Sequence, residues 1–245
     1  MSGARASSKG ISRRPRAWLS WSSGKDSAWA LHLARQSGEL EIVALLTTVN
    51  RTFSRVAMHA VRETLLDQQA EAAGLPLVKI PIPSPCPNGV YEHAMGEAMA
   101  AARDQGVRHV IFGDLFLEDI RAYREKNLAA CGMTPVFPVW GIDTRALAGE
   151  MLADGLEAYL TCVDPRKLSR DFAGRKFDAA LLRDLPASAD PCGENGEFHT
   201  FACAGPMFGR RIAVEPGEVV ERDGFIFADL LPADSAKVAG GNAGR

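Results

Sequence analysis

Several features are missing from the 245-residue sequence, and each absence excludes a class of protein. No apolar run approaches the roughly 18 residues of a membrane helix, so no membrane partner is expected. The 28 basic residues face 30 acidic ones, for a net charge of −2, and this balance predicts no stable nucleic-acid partner. The basic N-terminus is not followed by the apolar segment of a secretory signal, so a cytoplasmic location is expected.

Patterns for disulfides and for zinc are also absent. The five cysteines are odd in number and form no C-x-x-C pair, which argues against a disulfide framework and a zinc ribbon. The five histidines show no H-E-x-x-H spacing, which removes the usual hydrolytic zinc site. Any metal is therefore expected to have oxygen ligands.

Strand-like apolar segments alternate with helix-length stretches in the first part of the chain. The strand-like segments are Ala17–Trp21, Ile42–Val49, Leu77–Ile82 and Val107–Phe112. The helices between and after them are expected to end at Gly38, Gly74, Gly106 and Gly132. This alternation predicts an α/β protein with a parallel, doubly wound, Rossmann-like sheet. Alternate prolines from Pro81 to Pro87 predict a loop after the third strand.

The pattern changes near residue 150, so a smaller C-terminal α+β domain is predicted over residues 151–232, after a first domain at 17–150. Asp164-Pro165 is expected to start a short helical region. Further strands are predicted at Phe198–Ala204, Arg210–Val214 and Phe225–Leu230. Residues 1–16 and 233–245 lack hydrophobic periodicity and are expected to be disordered tails.

The segment from Ser22 to Ser27 (S-S-G-K-D-S) lies between the first strand and a helix-like segment. A strand, a turn of small residues and a helix N-terminus together direct backbone N–H groups at one point, where pyrophosphate would be stabilised. The loop is not a Walker A motif, because Leu19 and Asp26 occupy the positions of its first glycine and its Ser/Thr. A serine-rich helix cap is the alternative interpretation.

A second group of polar residues follows the fourth strand. Gly113-Asp114 lies at its carboxyl end, where open α/β sheets bind ligands, and Asp114 could reach Mg²⁺ or a nucleotide. Arg121, Arg124 and Glu125 follow at helical spacing. The offset of four between Arg121 and Glu125 also suits a plain surface ion pair, which leaves that alternative open.

The third group is the segment from residue 190 to residue 200, which crowds carboxylates, an imidazole and a thiol around two glycines. Glu197 and His199 would share a face if a strand begins at Phe198. We expect this segment to face the Ser22–Ser27 loop. A polar β-turn is the alternative, and for Cys192 a buried, unreactive thiol is the favoured interpretation.

Together these segments resemble the diphthine–ammonia ligase family, with its adenine nucleotide α-hydrolase-like relatives, over about residues 17–232. The loop is similar to the S-G-G-x-D-S loop of the ATP-pyrophosphatase (PP-loop) superfamily, with Ser23 in place of a glycine. If that position requires a positive φ, Ser23 is strained. The other matching residues are Met58-His59, Gly74-Leu75-Pro76, Gly113 with Arg121 and Glu125, Val139-Trp140, Cys192-Gly193-Glu194 and Gly196-Glu197.

The resemblance implies a HUP-like sheet and a ligase that uses ATP and Mg²⁺. Such enzymes cleave ATP to AMP and pyrophosphate, adenylate a carboxylate and transfer the acyl group to ammonia. The implied nucleotide-binding residues are Ser22, Ser23, Gly24, Lys25, Asp26, Ser27, Thr47, Thr48, Met58, Gly113 and Asp114, with Asp26 and Asp114 as Mg²⁺ ligands. The implied catalytic residues are Glu194, Glu197, Arg121, Glu125 and His199.

Two departures from the family pattern bear on the substrate. The branch that amidates diphthine has G-E-Y-E-T where this chain has G-E-F-H-T, so His199 replaces an acid, and Tyr123 replaces the second arginine of a pair. We therefore expect another carboxylate, either a small molecule or protein-borne, and ammonia that is free or supplied by a partner. The sequence also leaves open whether the protein forms a homo-oligomer.

Two other functions remain as alternatives. One is a tRNA-modifying PP-loop enzyme, against which the net charge of −2 and the missing cysteine pair argue. The other is a nucleotide sensor without turnover, which would leave the acidic motif near residue 194 unexplained.

Overall fold

The computed structural model describes residues 14–50, 55–56 and 61–233. Met58, His59 and most of the two predicted tails lie outside these ranges, and Arg16 already belongs to the first strand. The elements in order are β1 Arg16–Ser20, α1 Lys25–Ser37, β2 Glu41–Asn50, β3 Arg55–Val56, α2 Glu63–Ala73, β4 Leu77–Ile82, α3 Asn88–Asp104, β5 Val107–Ile111, α4 Glu118–Ala130, β6 Thr134–Val136, α5 Thr144–Ala153, β7 Glu157–Val163, a 3₁₀ turn at Arg170–Phe172, α6 Ala179–Asp184, β8 Phe198–Ala204, β9 Val214–Arg222 and β10 Phe225–Pro232.

The first sheet confirms the predicted parallel α/β architecture. Its order is β3-β2-β1-β5-β6, with β4 also paired to β2, and all its strands run parallel except the short β3. Alternate residues of β1 enter different cores: Leu19 packs with side chains of α1, α2 and α5, whereas Trp18 packs with side chains of α3 and α4. Helices therefore cover both faces of the sheet, as expected for a doubly wound fold.

The predicted strands of the first sheet agree closely with those observed, but the proline loop begins later than expected. Pro81 lies inside β4 and not in a loop. β4 pairs only with β2 among the described strands, so it is an edge strand, which tolerates a residue without an N–H donor. Gly38 and Gly74 cap α1 and α2 in the left-handed conformation, as predicted.

The C-terminal region forms a second, antiparallel sheet in the order β8-β7-β10-β9. The strand predicted at Arg210–Val214 is wrong: the strand is β9, which starts at Val214 and is mostly exposed, so it lacks a clear alternation of apolar residues. Asp164-Pro165 begins a turn and no α-helix. Phe201 of β8 and Leu31 of α1 belong to one buried cluster, so the two sheets share a core. The boundary near residue 150 stays a prediction.

Candidate functional site

The Ser22–Ser27 loop connects β1 to α1 and turns sharply at Ser23, whose φ of 71° lies in the left-handed region. The positive φ considered in the sequence analysis is thus present at a serine. The Ser22 and Ser27 hydroxyls lie 3.0 Å apart, and the Ser27 hydroxyl donates to the Gly24 carbonyl oxygen at 3.0 Å. The hydroxyl groups therefore converge inside the turn.

Neighbouring elements hold this loop from outside. The Ala202 N–H of β8 donates to the Ser23 carbonyl oxygen at 2.9 Å, and the Gln69 side-chain amide of α2 donates to the same oxygen at 3.0 Å. The Lys25 N–H, the first of α1, donates to Thr200 Oγ1 at 3.1 Å. β8 thus caps the helix in place of a local side chain, and the following N–H groups of the first turn can bind an anion.

Lys25 and Asp26 form a pair at the base of the loop. The Lys25 ammonium lies 3.0 and 2.9 Å from the two carboxylate oxygens of Asp26, donates to the Cys192 carbonyl oxygen, and lies 5.4 Å above the Phe177 ring. Burial is the largest single influence and lowers the pKa of Lys25, but the neighbouring Asp26, Cys192 and Glu194 together outweigh it, so the pKa is raised overall. The ammonium is therefore a buried cation that links the loop to the 190–200 segment.

The residues after β5 touch the loop directly. A Cβ atom on Gly113 would lie 2.7 Å from both the Asp26 carbonyl carbon and the Ser27 nitrogen, so only glycine fits this approach. Asp114 forms a bidentate ion pair with Arg124, at 2.5 and 3.0 Å. Gly113-Asp114 thus lies beside the loop, and the Asp114 carboxylate already has a cationic partner.

Glu194 joins the 190–200 segment to the same place. Its Oε1 accepts the Leu115 N–H at 2.7 Å. Burial, together with the nearby carboxylates of Asp26 and Asp114, raises the pKa of Glu194 to about 7. The segment therefore faces the loop, as expected, and carries a carboxyl group that changes charge near neutral pH.

Glu197 lies deeper than Glu194, and His199 follows it on β8. Glu197 Oε1 accepts the Asp190 N–H at 3.0 Å, and the buried Oε2 has no hydrogen-bond partner among the described residues. Burial and the Lys25 charge lower the pKa of His199 to about 4, so the imidazole is neutral at pH 7. Cys192 is buried, and burial raises the pKa of its thiol, which agrees with an unreactive cysteine.

The remaining predicted site residues form two groups, one close to the loop and one apart from it. Thr47 and Thr48 lie on β2 beyond the last residue of β1 that pairs with it, close to the loop. Arg121 and Glu125 form the surface ion pair that the spacing allowed, at 2.8 Å, with Arg121 over the Trp140 ring. No hydrogen bond or ion pair in the described part of the chain joins that pair to the loop.

The predicted Mg²⁺ ligands, Asp26 and Asp114, can be compared with the ligands that Mg²⁺ requires. The described residues contain no group of three or more His, Cys, Asp or Glu side chains that could hold a metal. Mg²⁺ in nucleotide sites usually takes one or two carboxylates and completes its shell with phosphate oxygens and water. Asp26 and Asp114 both lie close enough to Glu194 to raise its pKa, and each also pairs with a cation, Lys25 or Arg124. The donor set fits a Mg²⁺ ion carried by phosphates.

Gln69 contributes to the site although it was not among the predicted site residues. Gln69 is fully buried on α2 and makes three side-chain hydrogen bonds, to Trp21, Ser23 and Ala202. Its position among the apolar residues of the helix was the available signal, since a buried amide must find partners.

A separate cleft lies on the opposite face of the sheet, between α3 and α4, with a cavity volume of about 230 Å³. Its lining is mainly apolar and includes Met95, Met99 and Phe112, with Tyr91 and Arg124 also contributing. Through Arg124 it adjoins Asp114 and so reaches the region of the loop.

The fold and the site define a class, the α/β proteins that bind a nucleotide with a PP-loop at the end of the first strand. Residues 16–135 match the diphthamide synthase N-terminal domain, and residues 143–228 match the diphthamide synthase C-terminal domain. The chain belongs to the diphthamide synthase family. No described helix is long and apolar enough to span a membrane.

Curated relatives carry the name diphthine–ammonia ligase. The chain is 28% identical over 237 residues to the one from Danio rerio, covering 85% of this chain and 90% of that protein. It is 25% identical over 232 residues to the one from Bos taurus, covering 85% and 86%. A 94-residue match to the Schizosaccharomyces pombe protein is 32% identical and covers 37% of this chain and 16% of that protein.

Proposed function

We propose that the protein is an ATP-dependent carboxylate–amine ligase that releases AMP and pyrophosphate. The name of the curated relatives supports ligase chemistry with ammonia as the amine. The observation that carries the proposal is the Ser22–Ser27 loop, which presents a helix N-terminus and converging hydroxyls and is fixed by β8 and α2.

In the first step, a carboxylate oxygen of the acceptor attacks the α-phosphorus of ATP and pyrophosphate leaves. The loop and the first turn of α1 would bind the leaving phosphates, and Asp26 and Asp114 would hold the Mg²⁺ that accompanies them. Positioning and charge stabilisation dominate such chemistry, which explains why the loop is held at so many points.

In the second step, ammonia attacks the acyl carbon, AMP leaves and the nitrogen must lose a proton. Glu194 is the proposed base, because it lies beside the loop next to Leu115 and its pKa is raised to about 7, so it can accept a proton near neutral pH. Glu197 would position the amine or the acceptor through its buried Oε2, which has no hydrogen-bond partner among the described residues. Neither role requires a further cofactor.

The acceptor is proposed to be a carboxylate other than diphthine. Diphthine carries a trimethylammonium group, and His199, neutral at pH 7, supplies no negative charge where the diphthine branch has an acid. Complementation of a ligase-deficient yeast strain tests this, together with an assay on diphthine-bearing elongation factor 2. Restored diphthamide at the rate of a genuine ligase would contradict it.

Product analysis tests the reaction class. The protein is incubated with Mg-ATP, ammonium and a pool of candidate carboxylates, and AMP with pyrophosphate is the expected pair. Ser27→Ala should abolish the products, whereas Ser37→Ala, at the far end of the same helix, should not. ADP with phosphate would refute the proposal, and ATP binding without turnover would favour the sensor.

A further inference from the structure

Ser23 occupies a conformation that serine does not favour. The φ of Ser23 is 71°, and the residue is fully buried. Its hydroxyl has no hydrogen-bond partner among the described residues. A left-handed conformation places Cβ too close to the following carbonyl oxygen, a penalty that glycine lacks. Other groups must therefore hold the backbone of Ser23 in place.

The Gln69 carboxamide is one such group, and its orientation is fixed. The Trp21 Nε1–H lies 2.8 Å from Gln69 Oε1 and can only donate, so the oxygen of the amide must face Trp21. The NH₂ group then faces two carbonyl oxygens, that of Ser23 at 3.0 Å and that of Ala202 at 2.7 Å. Every polar atom of this fully buried side chain is used.

We call the hydrogen bonds from Gln69 to the Ser23 and Ala202 carbonyl oxygens the Gln69 clamp. The peptide bond between Ser23 and Gly24 connects this clamp to the side of the loop that would bind an anion. The C=O and N–H of a trans peptide point in opposite directions. Because Gln69 and Ala202 hold the Ser23 carbonyl oxygen on the inner side, the Gly24 N–H points to the side of the Ser22 hydroxyl, 3.3 Å away. Rotation of this peptide would turn that N–H away from a bound phosphate.

We propose that Gln69 is a positioning residue for nucleotide binding: its amide holds Ser23 in the left-handed conformation and so keeps the loop in its phosphate-binding shape. This rests on the proposed function, in which the loop binds ATP. The clamp supplies at Ser23 what a glycine would provide through its own conformational freedom.

A double-mutant cycle tests the link between the two residues. Gln69→Met keeps the size of the side chain and removes its donors, and we expect ATP affinity to fall about tenfold or more. Ser23→Gly removes the left-handed strain and provides the second background of the cycle, and its own ATP affinity is the reference for that background. In the Ser23→Gly background, Gln69→Met should change affinity by no more than about threefold, because glycine needs no clamp. Calorimetry with Mg²⁺ and a non-hydrolysable ATP analogue gives these values.

Two further variants keep the test decisive. Gln68→Met makes the same chemical change one residue away, at a half-buried site with no hydrogen bond to the loop in the described part of the chain, and should leave ATP affinity unchanged. Trp21→Phe leaves Gln69 in place but removes the donor that fixes its amide, so the amide can rotate. We expect this variant to weaken ATP binding less than Gln69→Met does, and we expect the loss to disappear in the Ser23→Gly background. Trp21→Phe replaces Gln69→Met if that variant does not fold.

The outcomes separate the inference from the function on which it rests. If the parent chain binds no ATP, the proposed function fails. If the parent binds ATP but Gln69→Met binds it equally well, or loses the same factor in both backgrounds, Gln69 does not act through Ser23 and the inference is overturned.

Discussion

Gly113, at the exit of β5, lies against the backbone of Asp26 in the first turn of α1. A Cβ atom at position 113 would be 2.7 Å from the carbonyl carbon and 2.8 Å from the carbonyl oxygen of Asp26. Since the contact is with backbone, no rotation of a flexible side chain could relieve the overlap. The separation between β5 and the loop is therefore set by the absence of a side chain at Gly113.

Gly113→Ala should displace the loop. We expect a loss of about 1–3 kcal/mol in the free energy of unfolding, as for other overpacked sites, together with weaker ATP binding. Gly149→Ala is the matched control: it lies in α5 with nothing within 4 Å of the added methyl group and should raise stability slightly. Equal stability and ATP affinity in the Gly113 variant would show that the loop adjusts without cost.

The Lys25–Asp26 pair should respond unequally to the loss of either partner. The Lys25 side chain is 2% exposed and that of Asp26 is 25% exposed, so water can replace a lost partner more readily at the carboxylate than at the ammonium. Asp26→Ala should lower the free energy of unfolding by about 3–5 kcal/mol, and Lys25→Met by less. The double variant should be more stable than Asp26→Ala alone. Denaturant unfolding without nucleotide measures this, and equal losses in the two single variants would contradict it.

Glu197→Gln should spare ATP affinity while lowering turnover. Glu197 contacts Asp190 and Asn195 within its own segment, and no hydrogen bond in the described part of the chain joins it to the Ser22–Ser27 loop. The substitution keeps the size of the side chain and removes its charge. Calorimetry should therefore give an unchanged dissociation constant while AMP formation slows. Weaker ATP binding with normal turnover would place Glu197 in the nucleotide site instead.

Two buried groups should give stability opposite dependences on pH. Glu194 has its pKa raised from 4.5 to about 7, so its contribution is present below pH 4.5 and is lost as pH rises through 7. His199 has its pKa lowered from 6.5 to about 4, so its contribution is present above pH 6.5 and is lost as pH falls through 4. For each group, the free energy of unfolding can change by up to about 1.4 kcal/mol per pH unit.

These two pH dependences oppose each other between pH 4.5 and 6.5, so single variants are needed to reveal them. Relative to the parent chain, Glu194→Gln should gain stability as pH rises from 4.5 to 7, and His199→Gln should gain as pH falls from 6.5 to 4. Thermal unfolding across this range provides the measurement. Curves parallel to that of the parent chain would show that these groups are not perturbed.

The sequence predicted the elements of the parallel sheet because buried strands and helix-ending glycines leave local signals. Leu77–Ile82 is observed with the same bounds as predicted, and Gly38 and Gly74 end their helices as expected. The exposed strand β9 was misplaced, since none of its residues is buried and its sequence therefore shows almost no alternation of apolar residues. The family expected from the loop and the acidic motif is also confirmed.

The sequence by itself determined the alternation of strands and helices in the parallel sheet, the family, and the location of the loop between β1 and α1, because all of these depend on residues adjacent in the chain. Only the tertiary structure decided which groups surround the loop. Gln69 approaches Ser23 across 46 positions and Thr200 approaches Lys25 across 175, and no local pattern encodes such pairings. The charge of Glu194 was likewise decided by folding, because burial and the carboxylates of Asp26 and Asp114 act on it only once the two sheets have packed together.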